Sequence, residues 1–129
     1  LTVSRCGEIL YGVGVRLNDE SIVVPDLVVM LSEHRDRIGI QLIEGAPNLM
    51  VEILSPGTAG RDLVMKCELY ARAGVAEYWI VDVEAGHVEV LALKRGKSDY
   101  ARSGLFRRGE TLRSPLLPEL AIPLDEVFE

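Results

Sequence analysis

Residues 49–54 read LMVEIL: five large apolar residues with one carboxylate, Glu52, set among them. A short unbroken apolar run is the pattern of a strand buried on both faces. An ionised carboxylate in such a strand is costly, because it loses water and gains nothing in return. The sequence therefore demands compensation for Glu52 in the form of a cation, a metal or a proton.

The rest of the chain supplies strands in pairs and one helix. Residues 8–17, EILYGVGVRL, alternate loosely and read as a strand, with Gly12 and Gly14 weakening it or marking a bulge. After the turn NDES, residues 22–31, IVVPDLVVML, read as a second, nearly apolar strand in which Pro25 marks an edge, a bulge or a strand beginning. The polar stretch SEHRDRIG and the turn residues EGAPN lead into LMVEILS, which PGTAG ends. RDLVMKCELYARAG reads as a helix closed by Gly74 at its C-terminal cap. AEYWIVD, the turn VEAG and HVEVLAL read as a hairpin, YARSGLF as a late strand, and SPLLPELAIPLDEVFE as an irregular closing segment. The expected fold is a mixed α/β domain spanning residues 1–129.

Composition narrows the class. The 129 residues are 48% hydrophobic and 26% charged, as in a globular domain with one core. No apolar run approaches the roughly 20 residues that span a bilayer, so no membrane role is expected. No cationic leader precedes an apolar stretch, and Cys6 and Cys67 make neither a metal spacing nor a disulfide framework. Those features point to a reducing cytoplasm. The net charge of −6 argues against nonspecific binding to nucleic acid through a basic surface. It leaves room for a local basic cleft, for which Arg61, Lys66 and Arg72, or Arg102, Arg107 and Arg108, are the candidates.

Three polar residues stand out by position. Asp26 interrupts the second apolar run, Glu52 interrupts the third, and Lys66 lies on the helix that follows. If the second and third strands pair antiparallel, the two carboxylates can meet on one face. Together they would repel and resist ionisation. A divalent cation would remove that difficulty, and oxygen ligands suit Mg²⁺ or Mn²⁺. Each residue also has a plainer reading. Asp26, after Pro25, could cap nearby amides at a strand entry. Glu52 could pair with an arginine such as Arg61. Lys66 could pair with Asp62 four residues earlier on the helix surface. Asp82 is read as a turn cap and Trp79 as core or interface. His34 and His87 share no ligand spacing.

These pieces, in this order, resemble a family. VVPDLVVML, then GAPNLMVEILSPGTAGRDLVMKCELYARAGVAEYWIVD, then SPLLPELAIPLDEVF are similar to the Uma2 (DUF820) family of restriction-endonuclease-like proteins, over roughly residues 7–128. The resemblance implies the PD-(D/E)XK nuclease fold, a central mixed sheet with flanking helices. It implies Mg-dependent hydrolysis of DNA phosphodiesters, with Asp26 and Glu52 as metal ligands and Lys66 as the catalytic lysine. Position 54, where the superfamily pattern carries lysine, is Leu54, so the lysine is taken as displaced to the helix. The N-terminal helical region usual in the family is not found before the first strand, and an uncovered flank would favour a homodimer or larger homo-oligomer. The competing expectation is a catalytically idle oligomerising or nucleic-acid-binding module that keeps the nuclease-like fold.

Overall fold

The structure is a computed structural model that describes residues 7–55 and 61–128, with the side chains of Arg61 and Asp62 outside that description. Its strands are β1 (Gly7–Tyr11), β2 (Gly14–Asn18), β3 (Ser21–Val23), β4 (Leu27–Leu31), β5 (Leu42–Glu44), β6 (Leu49–Leu54), β7 (Glu77–Asp82), β8 (His87–Leu93), β9 (Tyr100–Arg107), β10 (Thr111–Leu112) and β11 (Ile122–Pro123). One α-helix, α1 (Arg61–Ala73), joins β6 to β7, and 3-10 turns cover Ser32–Arg37 and Leu124–Glu126.

The central sheet has six strands in the order β1-β4-β6-β7-β8-β9. Only β6 and β7 run parallel, and that pairing needs a crossover, which α1 provides. The neighbours β1–β4, β4–β6, β7–β8 and β8–β9 are antiparallel. The fold is thus a mixed α+β one with a mostly antiparallel mixed sheet. Among the described residues no helix is long and apolar enough to cross a membrane.

Two apolar layers explain the unbroken run in β6. Side chains alternate across the sheet. Leu49 and Val51 face a layer with Val29, Trp79, Val88, Val90, Leu112 of β10 and the closing segment's Leu117, Leu124 and Phe128. Met50 faces the opposite layer with Val28, Met30, Tyr78, Ile80, α1's Tyr70 and the small sheet's Val15 and Ile43. Glu52, two residues on from Met50, belongs to this second, helix-covered face.

Two expected strands turn out to be broken. Residues 8–17 divide at Gly12, whose φ of 60° turns the chain out of the central sheet. The second half, β2, pairs instead with β3 and β5 in a separate three-stranded sheet. Gly14 lies so close to Leu42 Cδ2 that an added Cβ would stand 2.6 Å from it. Residues 22–31 divide at Pro25, which has no N–H for a ladder, into β3 and β4. The helix ends as expected: Gly74 takes a φ of 91° and its N–H bonds Ala71 O.

Candidate functional site

Glu52 is 7% exposed, and three donors meet it. Tyr70 Oη donates to Oε1 at 2.9 Å, Tyr78 Oη donates to Oε2 at 2.9 Å, and Lys66 Nζ donates to Oε2 at 3.1 Å. Lys66 and Tyr70 are four residues apart on α1, so successive turns present both to the sheet. Tyr78 sits beside Met50 in the β6–β7 register, two residues short of Glu52's own partner Ile80. Tyr70 and Tyr78 are fully buried and meet edge to face, centroids 4.9 Å apart. Burial, and then the negative charge and hydrogen bond of Glu52, push both phenols far above the ordinary tyrosine range. They are committed to donating. Lys66 is 38% exposed and completes the set from the solvent side. The compensation that Glu52 demanded is therefore one cation and two phenols. Cys67, beside Lys66, is held protonated by burial first and by the charges of Glu89, Glu52 and Glu68 next.

Asp26 comes next to this group through the sheet. Leu27 pairs with Val51 in the antiparallel β4–β6 ladder, which brings Asp26 level with Glu52. The strands concerned are adjacent and antiparallel, with Asp26 directly before β4 and Glu52 within β6. Pro25 is buried and ends the ladder, and Asp26 takes over its hydrogen bonding: Ile53 N donates to Oδ2 at 2.7 Å. Asp26 itself is exposed. The strand-entry cap is thus present, and it ties Asp26 to the amide directly after Glu52. Lys66 bonds Glu52; its expected alternative partner Asp62, and Arg61 as a partner for Glu52, fall on side chains outside the described residues.

The other candidates have plain roles. Asp82 Oδ1 accepts from Ala85 N at 3.0 Å and caps the β7–β8 turn. Trp79 packs in the core. His34 Nδ1 contacts the Asn48 amide, and His87 Nδ1 is buried with no hydrogen-bond partner among the described residues. The suspected basic group is largely engaged, since Arg102 pairs with Glu89 at 2.8 Å and Arg108 Nη1 donates to Phe128 O at 2.9 Å.

Sequence reasoning missed a second buried acid. Glu77, at the start of β7, is 2% exposed and accepts from Trp79 Nε1 at 2.9 Å, Ser114 Oγ at 2.6 Å and Leu116 N at 2.8 Å. It fastens the closing segment over the apolar layer that contains Trp79. Its sequence signal is a carboxylate at the head of an apolar strand, weaker than that of Glu52, which lies inside one.

Comparisons with known proteins bear on the fold and the family. A crystal structure described as "a putative nuclease belonging to DUF820", from Anabaena variabilis ATCC 29413, matches with a TM-score of 0.79 and 17% identity, over 98% of this chain and 70% of that one. At that identity the likeness carries the fold. No curated protein matches the chain. The model of the Uma2 family, described as "Putative restriction endonuclease", matches residues 4–125, nearly the whole sequence. The chain that sets Glu52 among Tyr70, Tyr78 and Lys66 belongs to the Uma2 family.

Proposed function

We propose that the protein is a Mg²⁺- or Mn²⁺-dependent DNA endonuclease acting in the cytoplasm, with Asp26 and Glu52 as metal ligands and Lys66 as the catalytic lysine. The observation that carries the reading is the convergence of Glu52 and Lys66, 3.1 Å apart, with Asp26 bonded to the amide after Glu52. The donor chemistry fits a hard cation. Mg²⁺ is commonly held by one or two carboxylates and completes its shell with water. Among the described residues no group of three or more His, Cys, Asp and Glu side chains could hold a metal ion, so the proposed site rests on two carboxylates with water completing the shell. When bound, the ion would supply Lewis acidity for water activation and for the charge that grows on phosphate. The chain's own contributions are two anionic oxygens from neighbouring strands and a half-exposed ammonium. That ammonium can orient the attacking water or neutralise the phosphate. Nicking of supercoiled plasmid tests this. Wild type nicks in Mg²⁺ or Mn²⁺, and Asp26→Asn, Glu52→Gln and Lys66→Ala lose it. Asp26→Asn protein nicking at the wild-type rate would overturn the assignment.

One observation favours a second reading, a catalytically idle binding or oligomerising module: both oxygens of Glu52 are already bonded within the protein. Mn²⁺ titration of wild type against Glu52→Gln separates the two, since an idle module takes up no Mn²⁺ at Glu52. Self-association into a homodimer or larger homo-oligomer fits either reading. An apolar cavity of about 170 Å³ lies between the sheet and the closing segment, and Tyr11 and Val127 on its lining are 68% and 46% exposed. A monomer mass by light scattering at high concentration would remove that part of the proposal.

A further inference from the structure

Of Glu52's three partners, two differ in kind from the third. Tyr70 and Tyr78 are 1% and 0% exposed, so they reach the carboxylate from inside the protein. Lys66 is 38% exposed and reaches it from the solvent side. Each phenol takes a different oxygen, Tyr70 Oε1 and Tyr78 Oε2, so together they fix the rotation of the carboxylate group about its last side-chain bond. The phenols are themselves fixed by their edge-to-face contact, and Tyr78 further by the ring of Tyr100, 6.2 Å away. A cation arriving from solvent can compete with Lys66, but it cannot displace two buried tyrosines.

We infer that Tyr70 and Tyr78 are positioning residues, a pair of buried phenols that hold the Glu52 carboxylate oriented for a divalent cation, while Lys66 is the exchangeable partner. The inference rests on the metal-ligand reading of Glu52. It extends that reading to two residues that need not touch metal or substrate. Hydrogen-bonded supports of this kind pre-orient a ligand before the metal arrives, and their removal costs roughly 10–100-fold in metal affinity.

The test is Mn²⁺ titration of wild type, Tyr70→Phe, Tyr78→Phe and Tyr100→Phe. Tyr100 belongs to the same aromatic cluster, but its hydroxyl donates to Val75 O at 2.7 Å and not to Glu52. Tyr70→Phe and Tyr78→Phe are expected to weaken Mn²⁺ binding roughly 10–100-fold. Tyr100→Phe, with the same atom removed from the same cluster, is expected to bind Mn²⁺ as wild type does. A second measurement needs no metal. The infrared carboxylate band that disappears in Glu52→Gln is expected to shift in Tyr70→Phe and Tyr78→Phe and to stay in place in Tyr100→Phe. Wild-type affinity in both Glu52-facing variants, or an unmoved band in both, overturns the inference and leaves the metal site standing. Failure of wild type itself to bind Mn²⁺ overturns the metal site and the inference with it.

Discussion

Glu52 Oε2 accepts from both Tyr78 Oη, at 2.9 Å, and Lys66 Nζ, at 3.1 Å, so one buried oxygen serves a phenol and an ammonium at once. With Asp26 and Glu52 as metal ligands, a metal-free site is expected to hold repelling acids, so that removing one charge leaves stability unchanged or raises it, whereas a structural ion-pair partner would lose stability. The donors now visible around Glu52 reverse the expected sign.

Metal-free Glu52→Gln is expected to melt below wild type. The amide keeps one acceptor oxygen and turns an N–H₂ towards a donor. Leaving a buried donor unpaired costs about 1–3 kcal/mol. The loss of the Lys66 pair adds little, because a half-exposed ammonium can turn to solvent. Thermal melts in the presence of a chelator check this, and a melting temperature equal to or above wild type would restore the repelling-acid picture.

Lys66→Met separates chemistry from stability. Its charge is half exposed, and two phenols remain on Glu52, so the stability loss should be about 1 kcal/mol, less than for Glu52→Gln. Plasmid nicking should nevertheless vanish, because no other cation is seen bonded to Glu52 among the described residues. A Lys66→Met protein that nicks DNA would show that this lysine is only a surface partner of a buried acid.

The elements that sequence made legible are those whose pattern is local. LMVEIL had to be a strand covered on both faces, and it is the third strand of the central sheet. The helix from Arg61 to Ala73 and the hairpin from Glu77 to Leu93 follow from helical spacing, a terminal glycine and a turn. Gly12 and Pro25 were visible as weak points, but whether each bends a strand or sends the chain to another sheet depends on partners such as Leu42 that are distant in sequence. Tyr70 and Tyr78 look like core aromatics, and they are; that their hydroxyls aim at one carboxylate is a tertiary fact. Glu77 was unreadable for the same reason, since its partners Ser114 and Leu116 lie 37 and 39 residues further on.

Glu77→Gln should loosen the closing segment. Of the three donors that Glu77 accepts, the amide can satisfy those on one side only, and about 1–3 kcal/mol should be lost. Ser114→Ala removes one donor and, because the Ser114 hydroxyl also accepts from Leu117 N, should cost about 1 kcal/mol. The two share an interaction, so the double variant should lose less than the sum. Urea melts followed by Trp79 fluorescence measure the cycle, and strict additivity would mean that the Glu77–Ser114 bond contributes nothing.

The buried tyrosines make the fold sensitive to alkali. Tyr70, Tyr78 and Tyr100 have their hydroxyls pushed far above the ordinary value of 10.0, by burial in every case and by the charge of Glu52 in the first two. Below pH 10 the phenols are protonated in folded and unfolded chains alike, and their contribution to stability is constant. Above it the unfolded chain releases protons that the folded chain retains, so stability falls as pH rises. Each tyrosine contributes a slope of about 1.4 kcal/mol per pH unit. With the three acting together, unfolding should be steep and begin not far above pH 10, with the tyrosinate absorbance of these three, over and above that of the exposed Tyr11, appearing at the same pH as the loss of circular dichroism. Tyr100→Phe removes one of the three titrating groups without touching Glu52, so its alkaline transition should be shallower than that of wild type. Tyrosinate absorbance that rises fully while the circular dichroism stays native would show that the phenols ionise inside the fold, and that neither burial nor Glu52 holds them protonated.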